Sequence, residues 1–254
     1  MNAPSIDIKA SVSEQEWALR VDLAAAYRLI AMHGWDDLIF THLSARVPGP
    51  EHHFLINPYG LAFEEITASS LVKVDQECKP VIDTVYPVNY AGFVIHSAIH
   101  AGREDVVAVM HTHTPAGVAV SAQRDGLLPI SQQASVVIPN LGYHSYEGIA
   151  VYDEEKPRLQ RDLGKNQGLI LRNHGLLSVG ASVAEAFLFL YTLQRSCEIQ
   201  VMAQAGGATL IPIGQSILDG VKENIKRVST GSPGGLAWPA LLRRVDRQSP
   251  GYAD

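Results

Sequence analysis

Five consecutive apolar residues, Val106-Val107-Ala108-Val109-Met110, run without a polar break into His111-Thr112-His113. Three of the five are β-branched, and a continuous run of this kind favours a strand buried on both faces. Alternating β- and α-type patterns fill the body of the chain with no polar linker between them, which predicts one α/β unit over residues 1–254.

Local signals place the neighbouring elements. Ser13 and Glu16 have capping-box spacing ahead of Trp17, Val21, Ala24 and Leu29, so a helix is expected there, ended by Gly34. Short β-type runs at 38–40, 44–47 and 54–56 lie between Pro and Gly turns and read as a meander. A helix is expected over 89–101, and after the 106–110 strand Thr114 caps another with Pro115 at its first position. Leu169-Ile170-Leu171 and Leu176-Leu177-Ser178-Val179 read as two strands meeting at the tight turn Arg172-Asn173-His174-Gly175. Ser182 and Glu185 open a further helix that reaches about Ala205. From about 230 the Gly-rich stretch predicts a flexible joint and an extended tail, whose apolar, basic segment 238–247 is either partly ordered or docked on a neighbouring subunit.

Composition narrows the partners. The net charge of −6 comes with no cluster of Lys or Arg that could neutralise a row of phosphates, so no nucleic-acid partner is expected. No apolar run has the length of a membrane helix and no basic-then-apolar leader is evident, so a cytoplasmic protein without a membrane partner is expected. Cys78 and Cys197 have no CxxC spacing and read as reduced structural thiols.

Side chains two apart on a strand share a face, so His111 and His113 point the same way and form half of a metal site. A metal needs at least one more protein ligand, and a catalytic metal also keeps an open position. His174, at a strand end and followed by Gly175, is the best distant candidate. His96 and His100 are spaced i, i+4 on one helical face and form a rival pair, but no acidic residue joins them in a motif such as HExxH.

Val107-Ala-Val-Met-His111-Thr-His113-Thr-Pro-Ala resembles the HxH strand of the class II aldolase/adducin family, and Arg172-Asn-His174-Gly175-Leu resembles its NHG motif. Glu185-Ala-Phe and the helix after it match the family's next segment, and the resemblance spans about Trp17 to Gln204. It implies a three-layer α/β/α sandwich around a central mixed, largely antiparallel sheet. It also implies a divalent metal, Zn2+ with Mn2+ or Fe2+ as alternatives, on His111, His113 and His174. A homotetramer with a small-molecule substrate is implied as well. Adducin shares the fold without the metal triad, so retention of all three histidines favours an enzyme.

Two departures from the family pattern matter. The glutamate that serves as acid/base one helical turn before the residue matched by His96 falls on Gly92. Thr41-His42-Leu43-Ser44 stands where fuculose- and ribulose-phosphate aldolases carry a Gly-Asn-x-Ser segment that helps bind phosphate, so a phosphorylated sugar is not favoured. Replacements for the missing base are sought in Tyr146, Glu147 and His144, which come after a loop signal at 139–142, and in His42. Phe40, Tyr59 and Tyr146 are candidates for the pocket wall. The leading expectation is a metal-dependent carbon–carbon lyase, aldolase- or decarboxylase-like, acting on a small oxygenated carbonyl compound or hydroxy acid. Decarboxylation suits the missing glutamate better, because no hydroxyl proton has to be removed. The alternatives are a non-haem iron oxygenase on the same scaffold and an adducin-like interaction protein.

Overall fold

The computed structural model describes residues 7–150, 152–228 and 233–254. Seven strands, β1 (His42–Arg46), β2 (Phe54–Ile56), β3 (Val72–Val74), β4 (Ala108–Thr112), β5 (Leu141–His144), β6 (Gly168–Leu171) and β7 (Gly175–Gly180), form one sheet in the order β3-β2-β1-β4-β7-β6-β5. Every neighbouring pair is antiparallel except β5 with β6, which is parallel. The helices are α1 (Ile8–Ser11), α2 (Glu14–Met32), α3 (Tyr90–Gly102), α4 (Pro115–Ser121), α5 (Gln132–Val137), α6 (Lys156–Leu163), α7 (Val183–Gln204), α8 (Gln215–Val228) and α9 (Trp238–Gln248). Among the described residues no helix is long and apolar enough to cross a membrane.

The period of two along each strand sorts the core into two halves. Ala108 and Met110 of β4, Ile170 of β6 and Leu176 of β7 pack with α2 and α7 in the larger half. The alternate residues, Val109, Leu169, Leu171, Leu177 and Val179, pack with α3 and α6. The result is the mixed sheet between helical layers that the resemblance implied. By the same parity His42, Ser44 and His111 face α3, so the HxH motif starts on the layer that carries His96 and His100.

Capping agrees closely with the sequence. Ser13 and Ser182 accept hydrogen bonds from the backbone N–H of Glu16 and Glu185, and Thr114 accepts from Gly117, all at 3.1 Å. Glu16 departs from the box: its carboxylate is buried and pairs with Arg20 and Lys73 instead of its own helix start. Tyr27 of α2 accepts from the amides of Leu43 and Asn57, which ties β1 and the end of β2 to the helix beneath them.

Three expectations are corrected. Residues 38–40 do not form a strand. Leu38 has φ +52° and Phe40 N–H closes a turn on Asp37 O, so the run swings away from the sheet and leaves Phe40 half exposed. The loop signal at 139–142 is overridden in its second half: Leu141–His144 is β5, where pairing with β6 outweighs the local Pro and Gly signals. Residues 238–248 form α9 rather than an extended tail, and the helix lies against α2 of the same chain, with Trp238 Nε1–H donating to Asp22 at 2.8 Å. Of the Gly-rich joint at 231–235, residues 231 and 232 lie outside the described residues.

Candidate metal centre

β4, the central strand, ends at Thr112 and delivers His111 and His113 to its C-terminal end, while the β6–β7 turn brings His174 to the same place. Asn173 takes a left-handed φ of +57° to make that turn. Gly175 comes next because a Cβ there would meet Thr112 O and the His113 ring, so β7 could not approach β4 so closely with any other residue.

The three Nε2 atoms converge. They lie 2.8 Å apart for His111 and His113, 2.9 Å for His113 and His174, and 3.3 Å for His111 and His174. His111 Nδ1–H donates to Leu176 O at 2.9 Å, and His113 Nδ1–H donates to Asp37 Oδ2 at 3.1 Å. In neutral imidazole only one nitrogen carries a proton, so both of these Nε2 atoms present bare lone pairs to each other. Facing lone pairs repel unless a cation lies between them, and a nitrogen triad of this size suits a first-row divalent ion. Burial holds His111 well below its ordinary pKa and brings His174 down to about 4, so these two rings stay neutral and available near pH 7. Among the described residues the group of possible ligands has three members, with no carboxylate included.

A cavity of about 380 Å³ opens on this triad, and His42, Tyr146, Phe40 and Tyr59 share its wall. The expected aromatic lining is therefore brought together with the histidines. His42 is paired in register with His111, and their rings are 5.2 Å apart. A Cβ on Gly92 would overlap the His42 ring, so the imidazole occupies the room that a side chain at position 92 would need. The two departures from the family pattern are thus one exchange in space. Tyr146 sits with its ring 6.3 Å from that of His174 and is half exposed.

The other candidates are placed elsewhere. Glu147 pairs with Arg158 through both oxygens, which holds its carboxyl below the usual carboxylate range, and it lines a smaller neighbouring pocket. His144 is buried between Asp162 at 2.7 Å and Glu155 at 3.2 Å. His96 and His100 turn to a hydroxyl rather than to each other: Ser44 Oγ bridges His96 Nδ1 at 2.6 Å and His100 Nε2 at 2.8 Å. Sequence reasoning misses Asp37. Metal-bound imidazoles usually give their second N–H to a carboxylate, a rule that asks for an acid but does not say which one.

Residues 21–201 match the family described as class II aldolase and adducin N-terminal domain. A Pseudomonas aeruginosa protein provisionally named an aldolase class 2 protein is 60% identical over 249 residues, 97% of this chain and 96% of that one. Alpha-adducin of Rattus norvegicus is 47% identical over 92% of this chain, which spans only 32% of adducin's length. The solved L-fuculose 1-phosphate aldolase of Glaciozyma antarctica superposes with a TM-score of 0.80 at 29% identity, covering 97% of this chain and 94% of that one. Converging histidines from an HxH strand and an NHG turn, a mixed seven-stranded sheet and these likenesses agree: the chain belongs to the class II aldolase and adducin N-terminal domain family.

Proposed function

We propose that this protein is a metal-dependent carbon–carbon lyase, aldolase- or decarboxylase-like, acting on a small oxygenated carbonyl compound or hydroxy acid, with His111, His113 and His174 as the metal ligands. The observation that carries this reading is the set of three converging Nε2 atoms, two of them stripped of protons by their Nδ1 partners, at the floor of an open cavity. A bound divalent ion would supply a Lewis acid for negative charge that develops on substrate oxygens as the bond breaks. Asp37 orients His113, and the Leu176 carbonyl fixes the tautomer of His111.

The chain's own groups handle the proton. His42 stands in the wall in place of the family's glutamate, and burial pushes its pKa down to about 3, so it acts as a neutral imidazole. Tyr146, on the open side of His174, is positioned to give a proton to the carbon left after cleavage. Decarboxylation fits this arrangement best where a carbonyl beta to the leaving carboxylate takes up the C–C electron pair as an enolate and carbon dioxide departs, because the step then needs a proton donor but no carboxylate base. Support for the lyase class comes from the likeness to L-fuculose 1-phosphate aldolase. The same reading carries zinc as the metal, with manganese or iron as alternatives that three imidazoles do not exclude, and a homotetramer in the cytoplasm.

The adducin likeness favours a second reading, a non-catalytic interaction protein. A site open to a cavity on one side is what a catalytic ion requires and a structural ion does not. Metal-loaded protein incubated with 2-oxo acids, 2-hydroxy acids and hydroxy ketones should release carbon dioxide or an aldehyde, and Tyr146→Phe should lower the rate about 10²-fold or more. Full metal occupancy with no cleavage across that panel would favour the interaction protein.

A further inference from the structure

If the lyase reading holds, the cavity walls restrict the kind of molecule that fits. No Lys or Arg is among the described residues that line the cavity. Arg172, the cation next to the His174 turn, commits its guanidinium to the carbonyls of Gln123 and Arg124 and to the face of Tyr143. Lys156, on the same helical layer, pairs with Asp153. A phosphate dianion placed in this cavity away from the triad would therefore meet no side-chain cation, and Thr41-His42-Leu43-Ser44 stands where the phosphate-binding Gly-Asn-x-Ser segment would be, so its charge would be poorly compensated.

The walls offer apolar surface instead. Phe40, Tyr59, Tyr146 and Ile149 line the cavity together with the buried Ile95, and Phe40, Tyr146 and Ile149 are 48%, 54% and 74% exposed. Large side chains clustered around one mouth form a surface that gains most by covering a flat apolar group. At the floor the demand is opposite. Three neutral ligands leave the charge of a divalent ion uncompensated, which favours an anion with two adjacent oxygens. A volume of about 380 Å³ accommodates a chelating end together with a ring-sized body.

We infer that the substrate is an unphosphorylated 2-hydroxy or 2-oxo acid with a flat, apolar body, its carboxylate and neighbouring oxygen at the triad and its body against Phe40, Tyr59, Tyr146 and Ile149. The carboxylate end is recognised by charge and the body by wall contact, so the two halves of the molecule are separately testable.

Three 2-hydroxy acids share one chelating end and differ only beyond it: lactate, 3-phenyllactate and 3-phosphoglycerate. Calorimetric titration of zinc-loaded protein with each, with zinc content measured on the same sample, reads wall preference directly. 3-Phenyllactate should bind about tenfold to a hundredfold more tightly than lactate, and 3-phosphoglycerate no more tightly than lactate. Phe40→Ala with Ile149→Ala should remove most of the advantage of phenyllactate over lactate while zinc content stays unchanged. Equal binding of phenyllactate and lactate to fully loaded protein, or tightest binding of 3-phosphoglycerate, would overturn the substrate class and leave the metal site intact. Protein that takes up no zinc would overturn both.

Discussion

Two groups of three polar side chains lie on or beside the α3-facing side of the sheet, and they use histidine in opposite ways. In Ser44, His96 and His100 one nitrogen of each imidazole turns toward a shared hydroxyl, and the rings are sealed from solvent. In His111, His113 and His174 the hydrogen bonds to the surrounding protein are made by Nδ1 of the first two, and the Nε2 atoms of all three face each other beside a cavity. The same residue type is a closed internal strut in one place and an open ligand set in the other. What decides is which ring nitrogen finds a protein partner and whether the other has room beside it.

Acid should act on the buried rings of both groups, since burial holds His111 and His174 down as well as His96 and His100. Burial holds His96 well below its ordinary pKa and His100 at about 3, against 6.5 for free imidazole. Below pH 6.5 the unfolded chain therefore binds protons that the folded chain refuses, so stability is complete above that value and falls as pH drops toward 3. Each ring should cost roughly 1–2 kcal/mol at about pH 5, seen as a lower urea midpoint than at about pH 7.5. A midpoint that is flat over this range would mean that these rings are not buried as neutral groups.

Gly92→Ala probes the seam between the two groups, since the new Cβ would overlap the His42 ring. It should destabilise the fold by about 1–3 kcal/mol, and His42→Ala should relieve most of that cost in the double variant. Additive effects would show that the ring and position 92 do not compete for space. At the open group, Asp37→Asn should weaken metal affinity by roughly tenfold or somewhat more without a change in urea midpoint, measured by competition with a chelator. Glu147→Gln should be the mildest, with metal affinity altered less than about twofold, because its carboxylate is committed to Arg158.

The parts of this molecule that are legible in the sequence are those whose signals are local. His111 and His113 share a face because a strand alternates, and His174 stands out because a Gly-flanked turn joins two apolar runs. The serine and threonine caps are equally visible. Asp37 reaches His113 across 76 residues, and nothing near either residue announces the contact. The runs at 38–40 and 141–144 mislead for different reasons: a left-handed Leu38 and a turn on Asp37 take the first off the sheet, while pairing with β6 makes the second a strand. Gly92 and His42 each stand out as a departure from the family, but only packing reveals that one fills the space of the other.

Whether three imidazoles share one ion is tested most directly by zinc content per folded chain, measured after dialysis for the unaltered protein and for His174→Ala, with circular dichroism on both. About one ion per chain is predicted in the first and near none in the second, with matching spectra. Equal zinc in both would contradict the shared site.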